Sequence, residues 1–192
     1  MSKAGPVLSQ RTPPGDILRR AVPHVRTDSG TKNGKSMILR RCQPSEGREL
    51  REWVKQFHYL QSAPPGFVVA LEFLEGKGRI GAMLLGRPVA RMYGEEIFEL
   101  TRRYFIDSAP KNTESAALAM MRAFVRKWFP SIRLILSYSD PSQGHTGAIY
   151  KADGWARFGK TEARHGQNGW ASRAGRKTLE TYCSKVRWVR TP

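Results

Sequence analysis

The sequence predicts a mixed α/β (α+β) fold, in which helices cover a central and largely antiparallel sheet. Two apolar segments joined by the turn Glu75-Gly-Lys-Gly78 have the pattern of a β-hairpin. One amphipathic helix pattern precedes this hairpin, and a second one connects two later apolar segments as a crossover. Antiparallel strands followed by a crossover helix are typical of sheets that carry helices packed against them.

The first 36 residues precede this pattern and are predicted to form a disordered basic tail. They contain seven basic and two acidic residues, four prolines and four glycines, with little apolar periodicity. Residues 37–192 are long enough for a single domain with its own core, followed by a basic C-terminal extension.

The first half of this domain contains three predicted strands and a helix. Residues 37–41 favour a short strand, and Ser45 is a candidate N-cap for the helix that follows. Residues 67–74 and 79–85 are the two arms of the hairpin. The helix has apolar side chains at positions i, i+3, i+4 and i+7, which are Leu50, Trp53, Val54 and Phe57.

The second half begins with a predicted strand at residues 97–106, followed by a helix that Asn112 or Thr113 can cap. The buried stripe of that helix is expected to consist of Leu118, Met121, Val125 and Trp128. Its solvated face is expected to carry Arg122, Arg126 and Lys127. A buried strand at 131–136 and a short helix at 146–153, closed by Gly154, complete the order.

The charge of the chain points to a polyanionic partner. Thirty-three Lys and Arg residues against sixteen acidic ones give a formal net charge of +17. An excess of this size most often serves nucleic-acid binding, although a merely soluble basic protein is the alternative. The sequence contains no apolar run long enough to predict a membrane span, and the two cysteines suggest neither a disulfide framework nor a zinc site. We therefore expect a soluble protein in a reducing cytoplasm without a membrane partner.

Asp140, His145 and Tyr150 form the most distinctive cluster of reactive side chains. They fall within eleven residues, where a predicted strand ends, a Gly-rich loop turns and a helix begins. Such loops on a rigid scaffold often carry catalytic groups. The alternative is structural, with Asp140 capping a turn, His145 on the surface and Tyr150 packing by its ring.

The C-terminal part contains two further patterns. Gly154-Trp-Ala-Arg-Phe-Gly159-Lys160-Thr161 matches the phosphate-loop consensus, but it lacks the strand before and the helix after that the motif requires, so a basic surface turn is predicted. From residue 151 onward, ten basic residues are interleaved with aromatic ones that could stack on bases or pack in the core. These aromatic residues are Trp155, Phe158, Trp170, Tyr182 and Trp188.

Several short motifs occur together along the chain. They are His58-Tyr59 before Pro64, Leu100-Thr-Arg102, Ala109-Pro-Lys-Asn112-Thr-Glu-Ser115, Tyr138-Ser-Asp140, Gly144-His145-Thr-Gly147 and Ile149-Tyr150-Lys-Ala152-Asp-Gly154-Trp155. With these motifs, residues 37–160 resemble the Mom proteins of Mu-like phages. That resemblance implies a GNAT-like acyltransferase fold and a transferase that converts adenine in DNA to N6-carbamoylmethyl (acetamido) adenine. Such a modification protects phage DNA from host restriction.

The resemblance also implies roles for individual residues. Asp140, Tyr150 and His58 become candidate catalytic groups. The candidates for a cofactor or substrate pocket are Arg102, Ser115 and Asn112. Acetyl-CoA or a related donor is left open, because the pyrophosphate signature of ordinary GNAT enzymes is absent before the helix at Asn112.

Iron is the metal that the resemblance implies. His58, Asp140 and His145 would supply two nitrogens and one carboxylate, a set suited to Fe(II) with open positions. The metal-free alternative uses Asp140 or His58 as a general base on the adenine amine and Tyr150 as an acid or orienting group.

The expected partner is double-stranded DNA with the target adenine flipped out of the helix. Arg173, Arg176 and Lys177 are expected to bind its backbone. The oligomeric state is left open, with a homodimer among the options, and the expected location is the bacterial host cytoplasm. Two other functions remain: a GNAT N-acyltransferase acting on a protein or small-molecule amine, and a non-enzymatic DNA-binding protein.

Overall fold

An eight-stranded sheet organises the chain. The computed structural model describes residues 25–26, 37–64, 66–88, 94–165 and 181–192. In order along the chain, the strands of this sheet are β1 (Val25–Arg26), β2 (Met37–Arg41), β3 (Val69–Glu75), β4 (Gly78–Gly86), β5 (Ile97–Phe105), β6 (Leu134–Ser139), β7 (Ala156–Lys160) and β10 (Val186–Arg190). A separate two-stranded pairing joins β8 (Arg164–His165) to β9 (Thr181–Tyr182). The predicted mixed and mostly antiparallel sheet is confirmed.

The strand order across the sheet is β1-β2-β3-β4-β5-β6-β10-β7. All neighbours pair antiparallel except β5 and β6, which are parallel. The strand predicted at 131–136 begins later, at Leu134. Part of the predicted N-terminal tail, β1, pairs with β2.

Helices cover both faces of the sheet. The first, α1 (Pro44–Phe57), buries Leu50 and Val54 against the face that carries Ala70 and Leu84. The predicted N-cap Ser45 is wrong, because Pro44, whose fixed φ suits a first turn, begins the helix and Gln43 is its N-cap. Of the predicted apolar stripe, Phe57 is 48% exposed, so this helix is buried along only part of that face.

The second helix, α2 (Thr113–Trp128), packs on the opposite face. Leu118, Met121 and Val125 are fully buried there, as predicted. The prediction of a solvated Arg122 is wrong: its guanidinium donates two hydrogen bonds, of 2.8 and 2.7 Å, to the carboxylate of Asp153. This ion pair ties α2 to the end of the short helix α3 (Ala148–Ala152), since Asp153 is the C-cap residue of α3.

The parallel pair β5 and β6 separates midway. Their register extends only from Ile97 opposite Leu134 to Glu99 opposite Leu136. Beyond that point, β5 continues alongside β4 and β6 continues alongside β10. A register shift between β4 and β5 lies at the same level, and the hydroxyl of Thr101 bonds there to the carbonyl of Leu84 at 2.9 Å. The gap between the two strands opens a cavity in the middle of the sheet.

The phosphate-loop match is correctly discounted, but the predicted surface turn is wrong. Residues 156–160 form the exposed edge strand β7, paired with β10. Of the aromatic residues near it, Trp155 and Trp188 belong to the core, and Phe158 is 60% exposed. Trp170 lies outside the described residues. In the described part of the chain, no helix has the length and apolar character needed to span a bilayer.

Candidate active site

The gap between β5 and β6 is a cavity of about 380 Å³, here called the central cavity. Its walls come from the end of α1, from β5, from α2, from β6 and the loop after it, from α3, and from the residue that precedes β10. The side chains of chemical interest on these walls are His58, Tyr59, Arg102, Arg103, Glu114, Ser137, Asp140, His145, Tyr150 and Lys185. The structure thus brings together all three members of the cluster at residues 140–150 and joins them to His58.

Asp140 lies where β6 ends, and it is 7% exposed. Its Oδ1 accepts hydrogen bonds from the backbone N of Ser142 at 3.1 Å and from the hydroxyl of Ser142 at 2.6 Å. The carboxylate therefore caps the turn Pro141–Gln143, as the structural alternative proposed, and it also lines the cavity. Among the residues that the structure describes, nothing bonds to Oδ2, which leaves one carboxylate oxygen able to accept a proton.

Tyr150 forms the floor of the cavity and is 1% exposed. Its hydroxyl lies 2.7 Å from that of Ser137, which donates to the carbonyl of Leu100 at 3.2 Å. The Nε of Arg103 donates to the same Tyr150 hydroxyl at 3.3 Å. The Tyr150 hydroxyl also lies 3.5 Å from the carbonyl of Tyr138, so either hydroxyl of the Ser137–Tyr150 pair can be the donor between them. Arg103, Tyr150, Ser137 and the carbonyl of Leu100 thus form one hydrogen-bonded chain.

Three groups hold the ring of Tyr150 in place. Trp188 stacks on it with centroids 5.5 Å apart, and Trp155 meets it edge-on at 5.2 Å. The guanidinium of Arg103 lies over the ring at 5.3 Å, within cation–π range. The phenol is therefore fixed both by its ring and by its hydroxyl.

Arg103 and Glu114 are site residues that the sequence analysis missed. The guanidinium of Arg103 donates a hydrogen bond to the carboxylate of Glu114. Burial tends to lower the pKa of Arg103, but Tyr150 and Glu114 outweigh it and raise the pKa above its usual value. The available signal for Arg103 was a charged side chain within the apolar strand β5. The motif Leu100-Thr-Arg102 directed attention to its neighbour Arg102 instead.

The two histidines lie on opposite sides of Tyr59. The ring of Tyr59 contacts His58, with centroids 4.4 Å apart, and meets His145 edge-on at 4.9 Å. Burial, followed by the positive charges of Arg102 and Arg103, lowers the pKa of His58 to about 4. His58 is therefore neutral at pH 7. Its Nδ1 accepts a hydrogen bond from the backbone N of Leu60 at 3.2 Å, so the ring proton is assigned to Nε2.

The predicted iron ligands do not fit a metal site in this arrangement. His58, Asp140 and His145 line the same cavity. Yet the described residues contain no group of three His, Cys, Asp or Glu side chains placed to hold a metal ion. The ring of Tyr59 packs against both imidazoles.

Arg102 is directed at the protein backbone. Its guanidinium donates to the carbonyl of Thr101 at 2.6 Å and to the carbonyl of Ser62 at 3.1 Å. These bonds tie the segment after α1, which carries His58 and Tyr59, to strand β5. Burial lowers the pKa of Arg102 from its usual value. Arg102 lines the central cavity, and its bonds indicate that it positions that wall.

A second cavity, of about 420 Å³, lies at the N-terminus of α2. Asn112 and Ser115, the other predicted cofactor residues, line it, whereas Arg102 does not. Asn112 has a left-handed backbone with φ 68°, and its carbonyl accepts from the hydroxyl of Ser115 at 2.9 Å. The side chain of Asn112 makes no cap bond to the helix. Residues common to both cavities are Phe105, Asp107 and Glu114.

The three residues predicted to bind the DNA backbone, Arg173, Arg176 and Lys177, lie outside the described residues. Their predicted role remains a prediction.

Comparisons with known proteins agree with this architecture. Residues 40–190 match the model of the Mom protein family. Over 122 residues, the chain is 23% identical to the methylcarbamoylase mom of Escherichia phage Mu, which covers 59% of this chain and 51% of that protein. The chain therefore spans about half the length of this curated relative.

Solved structures with the same fold are GNAT acetyltransferases. The GNAT domain of S. lividans PAT is 13% identical, with a TM-score of 0.55, over 88% of this chain and 97% of that one. The ribosomal-protein-S5-alanine acetyltransferase from Vibrio fischeri is 8% identical, with a TM-score of 0.55, over 81% and 92%. The chain is 10% identical to yncA of Salmonella typhimurium, a putative acetyltransferase solved with acetyl-CoA. Their TM-score is 0.53, and the match covers 81% of this chain and 93% of that one. The predicted GNAT-like fold is confirmed.

Proposed function

We propose that this chain, which belongs to the Mom protein family, is a transferase that modifies adenine in DNA at N6. The group transferred is carbamoylmethyl (acetamido), and the product protects the DNA from restriction. The site of transfer is the central cavity. The phage Mu relative is a methylcarbamoylase, which supports this choice of reaction.

The observation that carries the proposal is the contact between two cavities. The central cavity and the second cavity share Phe105, Asp107 and Glu114 as a common wall. A transferase must hold acceptor and donor side by side, because proximity supplies much of the rate. Two adjoining cavities, each of a volume that suits a small ligand, provide that arrangement.

The central cavity suits a flipped base as the acceptor. Aromatic side chains can stack on a purine, and polar groups among them can hydrogen-bond to its edge. The Phe and Tyr rings on the walls are those of Phe57, Tyr59, Tyr104, Phe105, Tyr138 and Tyr150. The net charge of +17 supports a polyanionic substrate such as DNA.

The second cavity suits the donor. It lies at the N-terminus of α2, where free backbone N–H groups favour an anionic group. Glu114 belongs to this cavity and to the central one, and Arg103 links it to Tyr150. We place the reacting carbon of the donor near this shared wall.

Transfer forms a bond between adenine N6 and the methylene carbon of the carbamoylmethyl group. The bond from that carbon to the leaving group of the donor breaks, and the leaving group keeps the electron pair. Asp140 accepts the proton that N6 loses, through the oxygen that does not bond Ser142. Neutral His58 donates a hydrogen bond from Nε2 to the adenine, and Tyr150 orients the floor of the cavity because Ser137 and Arg103 hold its hydroxyl in place.

Mass spectrometry of nucleosides from plasmid DNA tests the proposal. We expect cells that express the chain to contain a deoxyadenosine heavier by one acetamido group, and empty-vector cells to lack it. The rival function, an N-acyltransferase on a protein or small-molecule amine, predicts unmodified DNA and acetyl transfer from acetyl-CoA to such an amine. Unmodified plasmid DNA in cells with abundant soluble protein would contradict the proposal.

A further inference from the structure

A third cavity, of about 270 Å³, adjoins the central cavity at His145, which lines both. Lys151 of α3 and Arg157 and Lys160 of β7 line it, and we call this cavity the basic pocket. No carboxylate is among the residues that the structure shows on its walls. The motif at residues 154–161, which fails as a phosphate loop, thus contributes two of the three cations.

A β-bulge brings the two cations of β7 to one face. Residues three apart on a regular strand point to opposite faces. Here Arg157 pairs with Trp188 and Lys160 pairs with Val186, so three steps on β7 match two steps on β10. Gly159 has φ +76°, a conformation that accommodates the extra residue in a glycine bulge. Arg157 and Lys160 therefore lie on the face that Trp188 and Val186 share.

The charge of the basic pocket is not neutralised by the protein. Its three cationic residues are exposed, and in the described part of the chain none of them forms a salt bridge. Six other basic residues do pair with carboxylates: Arg40, Arg51, Lys55, Arg79, Arg103 and Arg122. Three unpaired cations around one concave surface attract an anion.

We propose that the basic pocket binds backbone phosphates of the DNA strand whose adenine enters the central cavity. This inference rests on the proposed function. A flipped nucleotide stays joined to its neighbours through phosphates, so the phosphate site must adjoin the base site, as the basic pocket does at His145.

The form of the pocket favours a polymer over a small anion. Strand β7 is the edge of the sheet, and all five of its residues are exposed. The cations are distributed over this edge and over α3, which gives a long polyanion an open path. A nucleic-acid backbone requires such a track of separated charges.

The test measures duplex DNA binding of the full chain at several salt concentrations. The probe is a fluorescein-labelled duplex of mixed sequence, observed by anisotropy. The test variant carries Lys151→Gln, Arg157→Gln and Lys160→Gln. The charge-matched control carries Arg48→Gln, Lys77→Gln and Lys127→Gln, three exposed positions outside the basic pocket.

The salt slope is the fall in log K for DNA binding per unit rise in log salt concentration. Each lost phosphate contact should lower this slope by roughly 0.9, so the loss of three contacts should lower it by roughly 2.7. From about 50 mM to about 200 mM salt, we therefore expect wild-type binding to weaken roughly 40-fold more than binding of the test variant. The control variant should keep a slope close to that of the wild type. Circular dichroism verifies that both variants remain folded.

A test variant with the same slope as the control would overturn the inference. So would a test variant that loses binding of inorganic pyrophosphate while its DNA binding is unchanged, which would assign the pocket to a small anion. No DNA binding by the wild type would also overturn it.

If plasmid adenines are modified but the salt slope of the test variant equals that of the control, this inference fails alone. If the slope falls as expected but no adenine is modified, the proposed function fails.

Discussion

The hydroxyl of Tyr150 lies 2.7 Å from the hydroxyl of Ser137, at the level where β5 and β6 stop pairing. The Ser137 side chain donates across the gap to the carbonyl of Leu100. Side-chain hydrogen bonds therefore replace the backbone ladder at the point where the sheet opens. This relationship holds a buried phenol at the floor of the cavity.

Replacement of Tyr150 by Phe should reduce adenine modification by up to about 100-fold, because loss of the floor hydroxyl loosens the cavity geometry. Removing a buried hydrogen-bonding group should also cost about 1 kcal/mol of unfolding free energy, measured in urea. Ser137→Ala breaks the same bond but keeps the phenol, so it serves as the matched variant. If the Tyr150→Phe variant modifies adenine as much as the wild type does, the hydroxyl has no part in the reaction.

Arg103 and Glu114 should behave as a coupled pair. Arg103→Lys cannot reproduce the geometry that bonds both Glu114 and Tyr150, because Lys has a single ammonium group. We expect each of Arg103→Lys and Glu114→Gln to lower stability, and the double variant to lose less than the sum. The coupling should be about 0.5–3 kcal/mol, obtained from thermal unfolding. If the two losses of stability are strictly additive, the interaction between Arg103 and Glu114 contributes nothing to the free energy of unfolding.

His58 should make stability depend on pH. Its folded pKa, about 4, lies below the value of 6.5 for a free histidine, so the unfolded chain binds more protons between these values. Its contribution is fully present above about pH 6.5 and is lost as pH falls toward about pH 4, by about 2 kcal/mol after solvent screening.

Urea unfolding across this pH range tests the assignment. His58→Gln should have a shallower pH dependence than the wild type. Burial also lowers the pKa of His145, and His145 is present in both proteins. Identical pH profiles would show that His58 is not held neutral by the fold.

Replacement of two glycines of the same loop by Ala should lower the free energy of unfolding by clearly different amounts. Gly147 has φ +76°, and an added Cβ would lie 2.1 Å from the Trp188 ring, which stacks on Tyr150. Gly144 has φ +72° with no atom within 4 Å of such a Cβ. We expect Gly147→Ala to cost about 2–4 kcal/mol and Gly144→Ala about 1 kcal/mol in urea unfolding. Equal costs would mean that Trp188 moves aside freely.

The sequence identified the site where its residues are close together along the chain. Asp140, His145 and Tyr150 follow one another through a strand, a loop and a helix, so local pattern sufficed to group them. Arg103 bonds a tyrosine 47 positions away, and such a contact depends on how α3 lies on the sheet. No spacing rule can supply that contact.

Other misses have equally local causes. Helical periodicity placed Arg122 on the polar face of α2, but the end of α3 covers that position through Asp153. Iron, which the resemblance to the Mom proteins implies, stays a prediction, and the described residues hold no group of three His, Cys, Asp or Glu side chains placed for a metal ion. Periodicity predicts which residues face the core, and tertiary contacts decide which polar groups meet.

In the proposed reaction, the Asp140 carboxylate accepts the proton from an adenine bound in the central cavity. The most direct measurement quantifies modified deoxyadenosine in plasmid DNA from cells expressing wild type, Asp140→Asn or Glu95→Gln. Asparagine keeps an oxygen that Ser142 can bond but cannot accept the proton, and Glu95 is an exposed carboxylate outside the cavity. We predict at least a roughly 100-fold loss for Asp140→Asn at equal protein level and wild-type modification for Glu95→Gln. Wild-type modification by Asp140→Asn would contradict the account.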